Sequence, residues 1–383
     1  MRIFTRNLDA AVITALAVYL TLAGCGGGEP LSELVTSGSF VSRTVADAQG
    51  GSLELDRPHY AAFGPAHQIA INESGEGLVV VIDSGGRERW RFGRRGNGPA
   101  EFRYISGLHF DSAGRLHIFD GHLRKLVVVS AEGELISSRV FHELRGFVPQ
   151  SIGQLPDGRM VIAESSYPRS KAGDPTGLQH DMTPLLLLDT ASGRAVAFDT
   201  LTRTEMFAAG RGYQRVTFDL PFRARGSAVV AGTAVIRGFS RDSLLIRHDP
   251  VSNRTDTLPF AAPAFPLTPN EWEREWKERL TKTLPDFRER MRAAEDRVPR
   301  FETYPRYVRL LATPGGTVAI YAPLDSAMER YTVHCIVIAG SESCPDLVTS
   351  AGEVVLAIAA GRALVARETP DGSFGFTIDV RRR

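Results

Sequence analysis

The chain has 383 residues, 43% of them hydrophobic and 23% charged, and its 45 basic and 44 acidic residues leave a net charge of +1. That balance, with 37 glycines and 22 prolines, describes a folded chain rich in turns and excludes a disordered one. Near-neutrality also excludes the electrostatic footprint of a nucleic-acid binder, which neutralises phosphates; Arg381, Arg382 and Arg383 form only a short basic tail.

Residues 1–24 read as an address rather than as part of the fold. Arg2 and Arg6 precede an apolar stretch, Ala10 to Leu22, that is too short to span a bilayer comfortably. It ends in Leu22-Ala23-Gly24-Cys25, which resembles the lipobox of bacterial lipoproteins; the simpler alternative is a secretory signal with an incidental cysteine. The resemblance implies cleavage before Cys25 and lipid on that residue, each buried methylene contributing about 0.8 kcal/mol of membrane attachment. It also implies the bacterial cell envelope, and Gly26 after the cysteine fits sorting to the outer membrane, facing the periplasm or the cell surface. Residues 25–36, opening Gly26-Gly27-Gly28, read as a flexible tether.

Residues 37–383 repeat one shape. An apolar run, a turn and a return strand occur at Leu78-Val79-Val80-Val81 with Asp83-Ser84-Gly85-Gly86, and again at Leu126-Val127-Val128-Val129 with Ala131-Glu132-Gly133. Similar hairpins follow at Leu185, Leu244 and Val333, each turning on residues that tolerate positive φ or bond their own backbone. A second hairpin is expected ahead of each of these, with turns at Asp111-Ser112-Ala113-Gly114, Pro156-Asp157-Gly158 and Pro314-Gly315-Gly316, and at Ala359-Ala360-Gly361 in the last unit. Four strands in roughly 40–50 residues make a propeller blade. The expected fold is therefore all-β, a six-bladed β-propeller with four-stranded blades. Five full blades are expected to begin near Ser52, Ile105, Val148, Val216 and Tyr307, and a sixth near Glu353 has only three strands. The alternating segment 39–45 is predicted to pair with 374–380 and close the last blade, which removes exposed sheet edges.

Gly98-Pro99-Ala100-Glu101-Phe102, an apolar strand, an Asp-x-x-Gly turn and Asp120 together resemble the NHL-type repeat of six-bladed propellers and the bacterial propeller lipoproteins that carry it. The match is strongest over residues 79–140. Ala100 and Gly121-His122-Leu123 depart from the family pattern, which weakens any binding role carried over with it.

Strand alternation places the loops that join blades, and those between second and third strands, on one face, here termed the joining face. Residues 165–181 and the helical insertion 268–298, between blades four and five, fall there, and two long loops on one face favour a binding face. In the insertion, Thr268-Pro269-Asn270-Glu271 is a capping box, and Trp272, Trp276 and Leu280 share one helix face. That stripe either packs on the propeller or lines a ligand groove. The other candidate ligand contacts are Arg94, Arg95, Arg103, Tyr104, Asp120, His122, Tyr167 and Arg169, because arginine forks and tyrosine rings suit an anionic or sugar-like ligand. The competing role for any one of these arginines is to satisfy carbonyls of a neighbouring blade.

Cys335 and Cys344 would share an oxidising compartment and can bridge across a hairpin, and no His or Cys stands beside them at zinc-ligand spacing. No complete calcium set is visible, and Gly-x-Ser-x-Gly, His-Glu-x-x-His and phosphate-loop motifs do not occur. The expected function is therefore a monomeric, membrane-anchored binding or scaffold module for a protein, peptide or carbohydrate, without metal or cofactor. The alternative is a lactonase-like hydrolase or a lyase with an axial active site, for which His122 and Glu164 are available.

Overall fold

The computed structural model describes residues 33–34, 40–144, 148–164, 176–210, 215–260, 262–336 and 347–381. Cys25, Tyr167, Arg169 and Cys344 lie outside them, as do the leader and most of the tether, and the Cys335 side chain is likewise not described.

β1 (Glu33–Leu34), β2 (Phe40–Thr44) and β3 (Glu54–Leu55) open the described chain but belong to its last sheet. The first sheet in sequence is β4 (Ala61–Phe63), β5 (Ile69–Glu73), β6 (Leu78–Ile82) and β7 (Glu88–Gly93), all antiparallel. The second is β8 (Ile105–Phe110), β9 (Leu116–Asp120), β10 (Lys125–Val129) and β11 (Leu135–Val140). A third, five-stranded sheet holds β12 (Gln150–Gln154), β13 (Met160–Ala163), β14 (Gly177–Leu188), β15 (Ala195–Ala209) and β16 (Val216–Asp219). The fourth is β17 (Gly226–Ala231), β18 (Ala234–Phe239), β19 (Leu244–Asp249) and β20 (Arg254–Pro259). After helices α1 (Pro269–Lys282) and α2 (Pro285–Arg292) come β21 (Arg309–Ala312), β22 (Val318–Pro323), β23 (Arg330–Ile336) and β24 (Val348–Ser350), then β25 (Glu353–Ala359), β26 (Arg362–Glu368) and β27 (Phe374–Arg381).

The architecture is thus all-β and propeller-like, built of antiparallel, mostly four-stranded sheets. β4, β8, β12, β17, β21 and β25 each touch the next in that order, and β25 touches β4. The core follows the same circuit, because apolar residues on both faces of these strands fill seams between neighbouring sheets instead of one centre. Ile69, Val80 and Phe63 pack with Leu364 and Ile378 across the seam between the first and last sheets. Val79 and Val81 pack with Leu108 and Ile118 across the next, and Phe119 and Leu126 with Met160 and Leu188 across the third. Val161 meets Val235, Ile236 meets Ile320, and Tyr321 meets Ile358 and Val365 to complete the set.

Polar ties cross the seams as well. Trp90 Nε1 donates to the Ala131 carbonyl at 3.1 Å, Arg139 to that of Thr190 at 2.7 Å, and Arg362 to that of Ser84 at 3.2 Å. Arg237 grips Asp199 with two nitrogens at 2.7 and 2.9 Å.

Two expected unit boundaries move. The stretch near Ser52 does not start the first sheet: β3 pairs with β27, and the first sheet begins at Ala61. Val216 starts no sheet either. β14 and β15 are long enough to leave room for an extra outer partner, and β16 takes it, so the fourth sheet begins at Gly226. Its first turn, Ala231-Gly232-Thr233, lacks the aspartate that marked several of the other turns. β2 pairs antiparallel with β27 from Phe40 opposite Arg381 to Thr44 opposite Thr377.

Asp379 lies inside this terminal pairing, 7% exposed, with Oδ1 lacking a hydrogen-bond partner. Burial raises its pKa, Glu353 adds to the rise, and the Ser42 hydroxyl and Arg367 oppose it. A raised folded pKa means that the fold holds a proton the unfolded chain releases above about pH 3.9, so stability falls as pH rises through that window. Asp379→Asn is therefore expected to raise the urea midpoint at pH 7, with the gain vanishing below about pH 4. An equal or larger gain at low pH would contradict this assignment.

Candidate functional site

The inner strands all begin on the joining face, so the residues at their starts ring one mouth of the central passage. Tyr60 precedes β4, Tyr104 precedes β8, Arg225 precedes β17, and Arg309 opens β21. Gly226 makes the third of these positions possible: a Cβ there would collide with the Thr202 carbonyl oxygen, so only glycine lets the start of β17 press against β15. The Ser240 hydroxyl accepts the Arg225 N–H at 2.9 Å, and the Leu310 N–H donates to Ser227 Oγ at 3.0 Å, which locks the starts of β21 and β17 together.

Tyr60 and Tyr104 share a hydrogen bond between their phenols, and Tyr104 also packs at 5.4 Å on the His122 ring. Burial and the neighbouring Tyr104 push the Tyr60 pKa well up, while the Arg203 and Arg309 charges pull it down. Those two arginines, from different sheets, therefore flank one phenol. Arg225, Arg279 and Arg203 lie around Arg223. Burial lowers Arg223 to about 9, with further lowering by those three cations, and burial followed by Arg279 lowers Arg225. Arg309 falls to about 10 through burial. Arg223 and Arg309 nonetheless remain charged at neutral pH.

Three of the five guanidinium groups have carboxylate partners. Arg203 meets Asp181 at 3.2 Å, Arg279 meets Glu275 at 3.1 Å, and Arg223 pairs with Asp219. Arg225 and Arg309 have no carboxylate partner among the described residues. Arg309 bonds the Val355 carbonyl, and its buried Nε has no partner.

The loop that carried most of the sequence-based candidates is, by contrast, closed on itself. Arg94 pairs with Glu101 at 2.7 Å, Arg103 Nε donates to Asn97 Oδ1 at 2.7 Å, and Arg95 reaches the Gly75 carbonyl at 3.5 Å. Asp120 is fully buried and accepts the backbone N–H groups of Arg103 (2.6 Å), Tyr104 (3.3 Å) and Leu123 (2.9 Å). Its role is to position Tyr104. Lys125, also buried, donates to the Gly98 carbonyl at 2.7 Å. A cavity of about 300 Å³ under this loop is walled by Arg94, Pro99 and Glu101 among others, the first and last already paired.

Trp272 and Trp276 are each 1% exposed, stack on each other at 5.4 Å and pack with Phe207 and Phe218 of the third sheet, so they are core and line no groove. The capping box is present, with Glu271 accepting the Thr268 N–H at 2.8 Å. Of the sequence-based candidates, Tyr104 and His122 stand at the mouth. Tyr60, Arg203, Arg225 and Arg309 were missed.

One pair on the passage wall has catalytic residue types. His109 Nε2 lies 2.7 Å from Ser151 Oγ, and burial lowers the histidine pKa to about 3, with His117 adding to the effect. Ser151 is 3% exposed, and Asp111 bonds His117 at 3.2 Å. No group of three or more His, Cys, Asp or Glu residues placed to hold a metal occurs among the described residues.

No protein-family model matches the chain, and no curated protein matches it in sequence. Solved structures that resemble it are β-propeller-like. A protein of Bacteroides fragilis described as exported has 10% identity and a TM-score of 0.48, covering 90% of this chain and 96% of its own. Virginiamycin B lyase from Staphylococcus aureus, an inactive variant with quinupristin, has 10% identity and a TM-score of 0.41, covering 85% and 98%. A luciferin-regenerating enzyme has 9% identity and a TM-score of 0.44, covering 86% and 94%. No helix among the described residues is long and apolar enough to cross a membrane.

Proposed function

We propose that this chain is a six-bladed, NHL-like propeller lipoprotein, held in the bacterial envelope by lipid on Cys25, that binds a protein, peptide or carbohydrate partner at the mouth of its joining face. The observation that carries the reading is the convergence of Tyr60, Tyr104, Arg203 and Arg309 on one mouth, beside inner strands that meet in a closed order. Tyrosine and arginine combine apolar area with directed hydrogen bonds, the composition that concentrates binding energy. The six sheets would be the blades, and α1 and α2 an insertion between the fourth and fifth. Outer-membrane sorting follows from Gly26.

The alternative is a hydrolase or lyase working on the axis, and the His109–Ser151 pair is what favours it. A nucleophile must be reached by substrate, and Ser151 is nearly inaccessible.

The test is cross-linking in native envelope, comparing the wild-type chain with Tyr60→Ala/Tyr104→Ala, and with Cys25→Ala to report the anchor. The expected result is a discrete partner lost from the double variant and release of the Cys25→Ala chain to the soluble fraction. A partner captured equally by the double variant would refute the mouth, and ester or lactone turnover abolished by Ser151→Ala would favour the enzyme.

A further inference from the structure

We infer that the cavity between α2 and the paired ends of β15 and β16 binds a small organic anion, its carboxylate or phosphate group held between Arg290 and Arg297. The cavity measures about 370 Å³. Ala209 and Val216, which pair with each other, wall it on the sheet side, and Glu289, Arg290, Ala293 and Arg297 wall it on the helical side. None of these residues belongs to the mouth, so the site is separate from the binding face proposed above.

The chain builds this place by departing from its own repeat. The second sheet has four strands, whereas the third takes β16 as a fifth, and α1 and α2 come between the fourth sheet and β21. Additions to a repeated scaffold are where binding sites concentrate. The walls are also fixed. Arg290 lies in the last turn of α2 and Arg297 ends the 3-10 turn Glu295–Arg297. Met291 follows the first and Val298 the second, and both are buried in the cluster that holds Trp276 and Phe218. The backbone that carries each guanidinium is therefore anchored, while the small side chains of Ala209 and Ala293 leave the space between the walls open.

Both guanidinium groups line this one cavity, and neither has an ion-pair or hydrogen-bond partner among the described residues. The opposing charge is smaller. Glu289 is the one carboxylate on the described wall and pairs with neither arginine, and the carbonyl end of α2 adds roughly half a negative charge. The remaining charged groups nearby are engaged or lie off the wall. Arg288 donates to the Thr281 and Thr283 carbonyls at 3.2 and 2.8 Å, and Arg215 to Gln179 Oε1 at 3.2 Å. Asp219 holds Arg223 and Glu205 holds Arg241, while Asp286, Arg292, Glu295 and Asp296 do not line the cavity. The wall is thus net positive. Two guanidinium groups can share a two-oxygen acceptor, the geometry that carboxylate and phosphate have in common. The apolar faces of Ala209, Val216 and Ala293 suit a short organic body beside it, and the volume falls at the lower end of small-molecule sites, about 300–1,000 Å³.

The experiment titrates the full-length chain with butyrate, glycerol phosphate and sodium chloride at matched ionic strength and follows Tm. Butyrate, glycerol phosphate or both are expected to give a saturating rise, about 2 °C at tenfold excess over Kd, with chloride giving none. The tighter of the two assigns the acidic group. Arg290→Gln and Arg297→Gln are each expected to weaken binding about tenfold, equivalent to about 1.4 kcal/mol. Without anion both should melt within about 1 °C of the wild-type chain, because each replaces an exposed side chain that has no partner. Glu289→Gln should tighten binding about threefold by removing a like charge from the wall, a response that a residue shaping only the fold would not give. Rises no larger than that of chloride, or rises unchanged in both arginine variants, would overturn the inference. So would a rise abolished by Tyr60→Ala/Tyr104→Ala and retained by both arginine variants, which would move the anion to the mouth.

Discussion

Arg241→Ala is expected to destabilise the chain by about 3–5 kcal/mol, the usual result of stripping the partner from a buried charge. Glu205 is 3% exposed in its side chain and receives Arg241 in a two-pronged grip. The same guanidinium donates to the carbonyls of Thr303 and Phe222, each at 3.2 Å, and lies 3.7 Å from the Phe301 ring centre. It therefore joins the third sheet, the loop ahead of β17 and the segment after the helices. Urea unfolding at pH 7 measures the loss. Arg241→Lys should recover only part of it, since an ammonium cannot reproduce the fork or the stacking. A double variant, Arg241→Ala with Glu205→Gln, should be more stable than Arg241→Ala alone, because the uncompensated charge is gone. A loss under about 1 kcal/mol would assign the pair to the weak class of exposed ion pairs.

Trp276→Ala is expected to cost a similar 3–5 kcal/mol through a different physical route. Its ring lies 5.8 Å from Phe218 and 5.4 Å from Trp272, nearly parallel to the latter at 19°. Leu280, Met291 and Ala294 of the helical segment join the same cluster, with Val216, Leu220 and Leu267 among its other members. Removing the indole leaves a cavity in the cluster that joins the helices to the third sheet. Hydrogen exchange should show α1 losing protection first, with the inner strands unaffected. Equal loss of protection throughout the sheets would mean that helices and sheets unfold as one unit.

The fold was legible wherever hairpins kept their local signals. Glycine or aspartate turns and apolar runs locate most strands of the second sheet, and the pairing of 39–45 with 374–380 follows from counting strands. The phase slipped at Val216, because an extra outer strand reads like any other alternating segment and the turn Ala231-Gly232-Thr233 gives little warning. That slip also hid the site. With the fourth sheet begun at Gly226, Arg225 falls in the position that Tyr104 holds before β8, and the ring of strand starts becomes visible from sequence. Arg203 had no such signal, since it reaches the mouth from a long hairpin. The arginines beside Gly98 attracted attention because they cluster along the chain, and proximity along the chain is what lets them pair with Glu101 and Asn97.

The pairing of β2 with β27 also sets a clock. Phe40 lies opposite Arg381, so the final sheet is unfinished until β27 has followed β2 out of the ribosome. At about 5–20 residues per second this leaves β2 waiting for some tens of seconds, and contacts so distant in sequence close slowly. Through that interval the edge of β2 and the seam of Val45, Leu53 and Leu55 have no lasting cover. Assembly of this ring therefore begins anywhere but ends at one place, and a folding helper acting on this chain would have most to do at that last joint.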